Sequence, residues 1–278
     1  MRTKEINFAK YSSFKIGEVF QVALLEDEFS QIENFYLIGS ANNTLVGHNP
    51  PPLMMLSKMY DYIKIEENTL KIGGATPSGK IASFCKKHNI ANFEFLSHLP
   101  GKLGGLVFMN AGLKEYEIFN YLLDITTPSG SHKREEIQYG YRKTDIHEPI
   151  LEASFELHSG YSLEKVTMFQ KMRANQPSTP SAGSCFKNPS NEYAGRLIEA
   201  VGLKGVLRGD MCFSQEHANF LVNTNKGKFE DAIWLIREAQ KRVLEEFGIF
   251  LECEIIILDR LYLSEQSPLK PKSLETEH

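Results

Sequence analysis

The chain has 278 residues, 42% hydrophobic and 24% charged, with a formal charge of −4 and a pI near 6.1. That length suffices for two modest domains around real hydrophobic cores, and the composition is that of an ordinary globular protein. The acidic balance argues against nucleic acid as a partner, which would call for a basic stripe, but leaves room for a local pocket that takes a small anion.

No apolar run approaches the roughly 18 residues of a membrane span. The start "MRTKEINFAKYSS" lacks the charged-then-apolar order of a secretion signal. Cys85, Cys185, Cys212 and Cys253 show no C-x-x-C spacing. Such scattered thiols suit a reducing, cytoplasmic setting and predict neither a disulfide framework nor a metal site.

In chain order, "FYLIG" (35–39) reads as a buried strand feeding the turn "SANN". "TLKIGGATPSGKIASFCKKHNI" begins as a strand and changes period at Thr76, which can cap a helix with Pro77 in its first position. Ile81, Phe84, Cys85 and His88 recur at helical spacing, and the helix should end near Asn89. A glycine-rich stretch, "HLPGKLGGLVFMNAGLKEYEI", reads as a loop. Two strand-like pieces follow, "YLLDITTPSG" and "ILEASFEL", separated by "GYRKTDIHEP". "SLEKVTMFQKMRA" and "NEYAGRLIEAVG" read as helices, the latter stopped by Gly202. "KFEDAIWLIREAQKRVLEEFG" has the strongest helical pattern, with Phe229, Ile233, Ile236, Val243 and Phe247 on one stripe and Gly248 as its stop. "FLECEIIIL" alternates as a strand, which would set Glu252 and Glu254 opposite Leu251 and Cys253. The polar tail after Leu263 should be disordered. The fold class is α+β, with a boundary between residues 160 and 175.

Five places can carry chemistry. "LIGSANNTLV" (37–46) exposes successive backbone N–H groups that can bind a pyrophosphate without a lysine. It is not G-x-G-x-x-G, and a plain turn is the competing reading. "LPGKLGGLVFMNAG" (99–112) packs Gly101, Gly104, Gly105 and Gly112 around apolar residues, with Asn110 able to donate and accept. Glycine destabilises regular structure, so this density suggests either a ligand close to the backbone or a loop packed against a sheet. In "YGYRKTD", Arg142 between tyrosines can clamp a carboxylate or phosphate, or be solvated. In "SAGSCFKNP" (181–189), Ser184 can give a proton, Lys187 and Asn188 can hold anionic oxygens, and Cys185 is a nucleophile or a buried thiol. Burial of Glu254 would raise its pKa, but Glu252 shares its face and periodicity cannot choose between them.

Together these segments resemble the UDP-N-acetylenolpyruvoylglucosamine reductases over nearly the whole chain, from about Ser12 to Leu258. The most specific stretches are "AGSCFKNP", "AGRLIEAVGLKG", "SQEHANFLVN" and "FGIFLECEI", and "LPGKLGGLVFMNAG" is similar to the family's flavin loop. The resemblance implies a two-part FAD-binding region of the vanillyl-alcohol-oxidase (PCMH) type over residues 1–160. It further implies an α+β substrate domain over 161–263, with the tail 264–278 beyond it. It implies NADPH reduction of a non-covalent FAD, hydride transfer from flavin N5 to the enolpyruvyl β-carbon of UDP-N-acetylglucosamine enolpyruvate, and formation of UDP-N-acetylmuramate for peptidoglycan synthesis. By motif match, Ser184 would protonate the α-carbon, and Arg142 and Glu254 would steady the enol form of the carboxylate. Gly39, Ser40, Ala41, Asn42, Asn43, Gly101, Gly104, Gly105, Asn110 and Ala111 would bind the cofactor. Tyr141, Lys187 and Asn188 would meet the substrate. The protein would be a cytoplasmic monomer acting on small molecules.

Three departures stand out. "GSANN" replaces the family's G-G-G-S-N, making positive-φ backbone less available. "EII" replaces E-V-R, losing an arginine at Ile256. The tyrosine-bearing substrate loop of longer members is missing, which marks the shorter subtype. Two other classes remain open: a non-catalytic flavin- or nucleotide-binding module, and a flavin oxidase, whose covalent histidine has no match at His48 or His98.

Overall fold

The computed structural model describes residues 1–27, 29 and 32–265. Of the tail expected to lack structure, residues 264 and 265 close a helix and the rest lies outside the described residues. Two compact units divide the chain. The first takes Met1–Ile6, Gln21–Asn42 and Leu53–Ser178, and the second Asn7–Phe20, Asn43–Pro52 and Thr179–His278. This differs from a single cut near residue 160: the chain enters the second unit twice before residue 53, and leaves the first for good at Ser178.

Numbered along the chain, the first unit holds a sheet of order β1-β2-β5-β3, made of Arg2–Asn7, Val19–Leu25, Leu53–Leu56 and Tyr36–Leu37. β5 runs parallel to β2 and β3, pairing Val22 with Leu53 and Tyr36 with Leu53. A second, antiparallel sheet has the order β11-β10-β14-β7-β6: Gly130–Lys133, Leu122–Thr127, Glu152–Glu156, Thr69–Gly73 and Ile63–Glu66. Leu70, Ile72, Ile125, Ala153 and Phe155 point from it into the core, against helix α2 (Ser78–Lys87) through Ile81, Ala82 and Cys85. The helix starts one residue later than expected. Pro77 is its N-cap, and Thr76 donates its hydroxyl to the Tyr62 carbonyl at 3.0 Å. No side chain caps the helix; the Ser78 N–H instead donates to the Gly101 carbonyl at 2.9 Å.

The glycine-rich stretch is not all loop. Leu103–Phe108 form the short helix α3, burying Leu103, Leu106 and Val107. The hairpin of β8 (Gly112–Leu113) and β9 (Tyr116–Glu117) follows it. A second small hairpin pairs β12 (Tyr139–Gly140) with β13 (Lys143–Thr144). Helix α4 (Leu163–Met172) is capped by the Ser162 hydroxyl, and the buried Glu94 carboxylate accepts from the Ser162 N–H at 2.9 Å.

The second unit is organised around α6 (Phe229–Phe247), which buries Ala232, Ile233, Leu235, Ile236, Ala239 and Val243 as its 3.6-residue period predicts. Gly248 ends it in the left-handed conformation (φ 67°), with its N–H on the Leu244 carbonyl. Beside it lies an antiparallel sheet of order β15-β18-β17-β16: Ser181–Ser184, Phe220–Asn223, Met211–Phe213 and Leu207–Arg208. α1 (Phe8–Tyr11), β4 (Thr44–Val46), α5 (Ala194–Ala200), β19 (Ile256–Leu258) and α7 (Arg260–Glu265) complete the unit. β4 and β19 pair in parallel, Thr44 with Ile256 through Val46 with Leu258. His48 hydrogen-bonds Glu18 at 2.6 Å and also Glu230, so one residue from each of the unit's three chain segments meets there.

The alternating strand expected over "FLECEIIIL" is shorter than its pattern. Only Ile256–Leu258 is strand. The preceding main chain bonds elsewhere: Glu254 and Ile255 donate to the Cys185 carbonyl, and Glu252 accepts from the Lys187 N–H at 2.9 Å. These bonds make an isolated antiparallel bridge between Phe186 and Cys253 rather than a continuation of the strand.

Candidate active site

Within the first unit, the turn Gly39–Asn42 lies next to the loop preceding α3. A Cβ on Gly39 would sit 4.0 Å from the Lys102 Cβ and meet nothing closer. Ala41 is buried and holds φ 50°. A left-handed residue with a Cβ costs roughly 1–2 kcal/mol, so the turn keeps a glycine-type backbone without the glycine. Ala41→Gly should raise stability by about 0.5–1 kcal/mol, the entropy of a freer unfolded chain offsetting part of the relieved strain. A denaturant melt showing no gain would remove the strain argument.

The glycines of the second loop differ in purpose. Gly101 has φ 152° and hands its carbonyl to the Ser78 N–H. A Cβ on Gly104 would press on the Gly74 and Ile150 carbonyls at 3.3 Å, and one on Gly112 would lie 2.3 Å from the Tyr116 carbonyl. Those positions are glycine because the protein packs against them. Gly105 is different: it is exposed, it is helical, and a Cβ there would meet nothing within 4 Å. Gly39 and Gly105 are thus open positions at which a ligand can approach the backbone closely. Ser40 and Asn42 are half-buried in the first turn. Ala111 is buried, its N–H on Leu106 and its carbonyl on the Ile118 N–H.

Asn110 ties this loop to Arg142. It is fully buried at φ 44°, and its amide donates to Glu117 at 2.8 Å and to the Gly140 carbonyl at 3.2 Å, while its oxygen faces the Phe119 N–H. Arg142, also left-handed (φ 56°), returns guanidinium bonds to the Gly112 carbonyl at 2.9 Å and the Asn110 carbonyl at 3.5 Å. Its charge lies 5.4 Å from the centre of the half-exposed Tyr141 ring. Sequence reasoning missed Arg173, at the C-cap of α4. Burial lowers its pKa, and the nearby Arg142 charge lowers it further. No pattern around Arg173 marks it, because the two arginines are far apart in sequence.

The second unit holds Ser184 and Glu254. Ser184 ends β15 after Gly183 (φ 81°), where the register with β18 shifts. Next to it, Cys185 is wholly buried, and desolvation, then Cys253 and Glu254, push its thiol well above the ordinary value, so it is no nucleophile. Its N–H bonds the Asn219 carbonyl at 2.6 Å. The buried Asn219 amide also brackets Phe186, accepting from its N–H at 3.0 Å and donating to its carbonyl at 2.8 Å. The Cys185 carbonyl in turn accepts from the Glu254 N–H at 2.9 Å, and Asn43 donates its side chain to the Glu254 carbonyl at 3.0 Å. Ser184 and Glu254 are therefore one residue and one hydrogen bond apart. The carboxylate of Glu252 is committed to Lys187 at 2.6 Å.

Ser184 and Asn188 line a cleft of about 310 Å³ with Tyr193, Arg196, Lys204 and His217. Asn188 accepts from the Ala194 N–H at the start of α5. Burial is the chief cause that lowers the His217 pKa. The last four lie in or beside "AGRLIEAVGLKG" and "SQEHANFLVN", stretches that carried the resemblance without a role assigned to these side chains. Among the described residues, no cluster of three His, Cys, Asp or Glu is arranged to hold a metal, and no helix is long and apolar enough to cross a membrane.

Residues 175–258 match the model for the UDP-N-acetylenolpyruvoylglucosamine reductase C-terminal domain. UDP-N-acetylenolpyruvoylglucosamine reductase of Helicobacter hepaticus is 49% identical over 93% of this chain and 100% of its own. That of Campylobacter jejuni is 46% identical over 91% and 99%. The crystal structure of the Thermus caldophilus reductase covers 93% of this chain and 99% of its own, with a TM-score of 0.79 at 26% identity. At that identity and coverage, the chain belongs to the UDP-N-acetylenolpyruvoylglucosamine reductase family of oxidoreductases.

Proposed function

We propose that the chain reduces UDP-N-acetylglucosamine enolpyruvate to UDP-N-acetylmuramate with NADPH and a non-covalently held FAD, as a cytoplasmic monomer. Residues 1–160 would be chiefly the PCMH-type flavin region and 161–263 chiefly the substrate domain. The observation that carries the catalytic reading is the link from Ser184 through the Cys185 carbonyl to the Glu254 amide, together with the commitment of Glu252 to Lys187. It supports pairing Ser184 with Glu254, whose main chain is tied next to it, over Glu252, whose carboxylate is occupied.

Bound flavin supplies hydride from N5 to the enolpyruvyl β-carbon. The chain's residues manage the charge and the proton that follow. Charge collects on the substrate carboxylate, so a guanidinium and a carboxyl group that hydrogen-bond its enol form act on the transition state more than on the ground state. Arg142 and Glu254 take those roles. Ser184 gives the α-carbon its proton; a hydroxyl so weakly acidic serves because its acceptor is strongly basic carbon. Tyr141, Lys187 and Asn188 meet the nucleotide sugar. In the first unit, Gly39–Asn42 and Gly101–Ala111 cradle the cofactor, and Asn110 acts by holding Arg142 to that cradle. A covalent flavin at His48 is disfavoured, since both ring nitrogens already face glutamates.

Anaerobic stopped-flow tests the reading: NADPH should bleach a yellow protein, and the enolpyruvyl sugar should restore its colour. Protein that folds yet takes up no flavin would overturn it. Glu254→Gln should slow the recolouring by at least about tenfold, an amount set by one charge-assisted hydrogen bond. Glu252→Gln should slow it less; the reverse order would exchange their roles.

A further inference from the structure

The loop before α3 contains a cation that the mechanism does not use. Lys102 is the N-cap residue of α3, and its backbone is fixed on both sides: it bridges Pro77, Gly101 accepts from the Ser78 N–H, and Leu103 donates to the Thr76 carbonyl. Its side chain leaves the backbone beside the Gly39–Asn42 turn, Cβ to Gly39 Cβ position 4.0 Å. Lys102 is half-buried, and among the described residues its ammonium has neither a hydrogen bond nor an ion pair.

The charges around it do not compensate. Lys4 repels it and Asp61 attracts it, but Asp61 already holds Lys80 at 2.8 Å. The carboxylate that attracts Lys102 is thus already paired with another lysine. Burial, then Lys4, lower the pKa of Lys102. A desolvated cation without a partner is costly, and it is tolerated where an anion arrives to complete it. The open position at Gly39 lies beside this side chain in the fold, and the open Gly105 follows it by three residues on α3, so the unmatched charge stands next to backbone that a ligand can approach.

We propose that Lys102 binds the diphosphate of FAD, adding a point charge to a cradle otherwise built of main-chain amides. The proposal rests on the flavin reading above and assigns a binding residue that the glycine motifs do not. Compared with amides alone, a lysine makes cofactor affinity sensitive to ionic strength, because its contribution is screened by salt.

The test uses flavin-stripped full-length protein titrated with FAD, followed by quenching of flavin fluorescence at several salt concentrations, with riboflavin as the ligand lacking phosphate. Lys102→Met, which keeps the apolar stem, should weaken FAD by about 10- to 100-fold at low salt. It should flatten the salt dependence and leave riboflavin affinity within about twofold, since no phosphate is involved. Lys102→Arg should restore most of the FAD affinity and the salt dependence. If Lys102→Met binds FAD as wild type does, or loses FAD and riboflavin equally, the lysine proposal falls while the flavin reading stands. A loss confined to NADPH, read as a raised KM for flavin bleaching with FAD affinity unchanged, also overturns it by placing the lysine on the other dinucleotide. If wild-type protein itself binds no FAD, both readings fail together. Near-ultraviolet circular dichroism on the unliganded variants separates misfolding from lost binding.

Discussion

Ser184→Ala protein will be bleached by NADPH at the wild-type rate and recoloured by the enolpyruvyl sugar about 10²- to 10⁴-fold more slowly, the range for removing a positioned proton donor. The substitution is mild for the fold. Ser184 closes β15, where the ladder to β18 is already interrupted, and the buried contacts of that turn belong to Cys185, Phe186 and Asn219. A local loss of structure would therefore have to pass through residues the substitution does not touch. Recolouring at the wild-type rate would mean the proton comes from elsewhere, and equal slowing of both half-reactions would make the serine structural.

The second large effect is expected at Arg142. Replacement by lysine keeps the charge but not the fork, and should cost about 10²- to 10³-fold in recolouring, comparable to removing one preorganised donor to a developing oxyanion. The arginine is placed by unusual means. It is left-handed, and part of its guanidinium is anchored on the Gly112 and Asn110 carbonyls, which fixes the direction of the remaining donors. Lysine has one nitrogen for both tasks. If Arg142→Lys recolours normally, the anchoring is all the residue does. If it slows bleaching as much as recolouring, the disturbance has spread through Asn110 into the flavin cradle.

What was legible in the sequence was local. α6 and α2 could be read because a 3.6-residue stripe persists over several turns, and Gly248 because a helix end needs a left-handed residue. The strand over residues 251–255 was over-read. Its alternation is real, but Glu254 and Ile255 give their N–H groups to Cys185, a partner some seventy positions away that periodicity does not register. α3 was under-read because glycine argues against helix, while the packing of Leu103, Leu106 and Val107 outweighs that local cost. The motif residues were found, but not what orients them. Nothing in "MNAG" shows that Asn110 turns inward to Glu117, and nothing in "YRK" shows a positive φ at Arg142. The alanine at residue 41 argued against a positive-φ backbone there, whereas Ala41 adopts one, at φ 50°.

The parallel pairing of β4 with β19 joins residues 44–46 to 256–258. During synthesis, the early segment must therefore wait for almost the entire polypeptide before it acquires its neighbour, and closing so long a loop slows folding. A ribosome paused at residue 200 would carry nascent protein in which Leu45 and Val46 of β4 still lack their partner strand and are open to chaperones or aggregation. For the same reason, a fragment starting at Thr179 would lack both Asn7–Phe20 and Asn43–Pro52 and should refold only when peptides spanning both segments are supplied in trans.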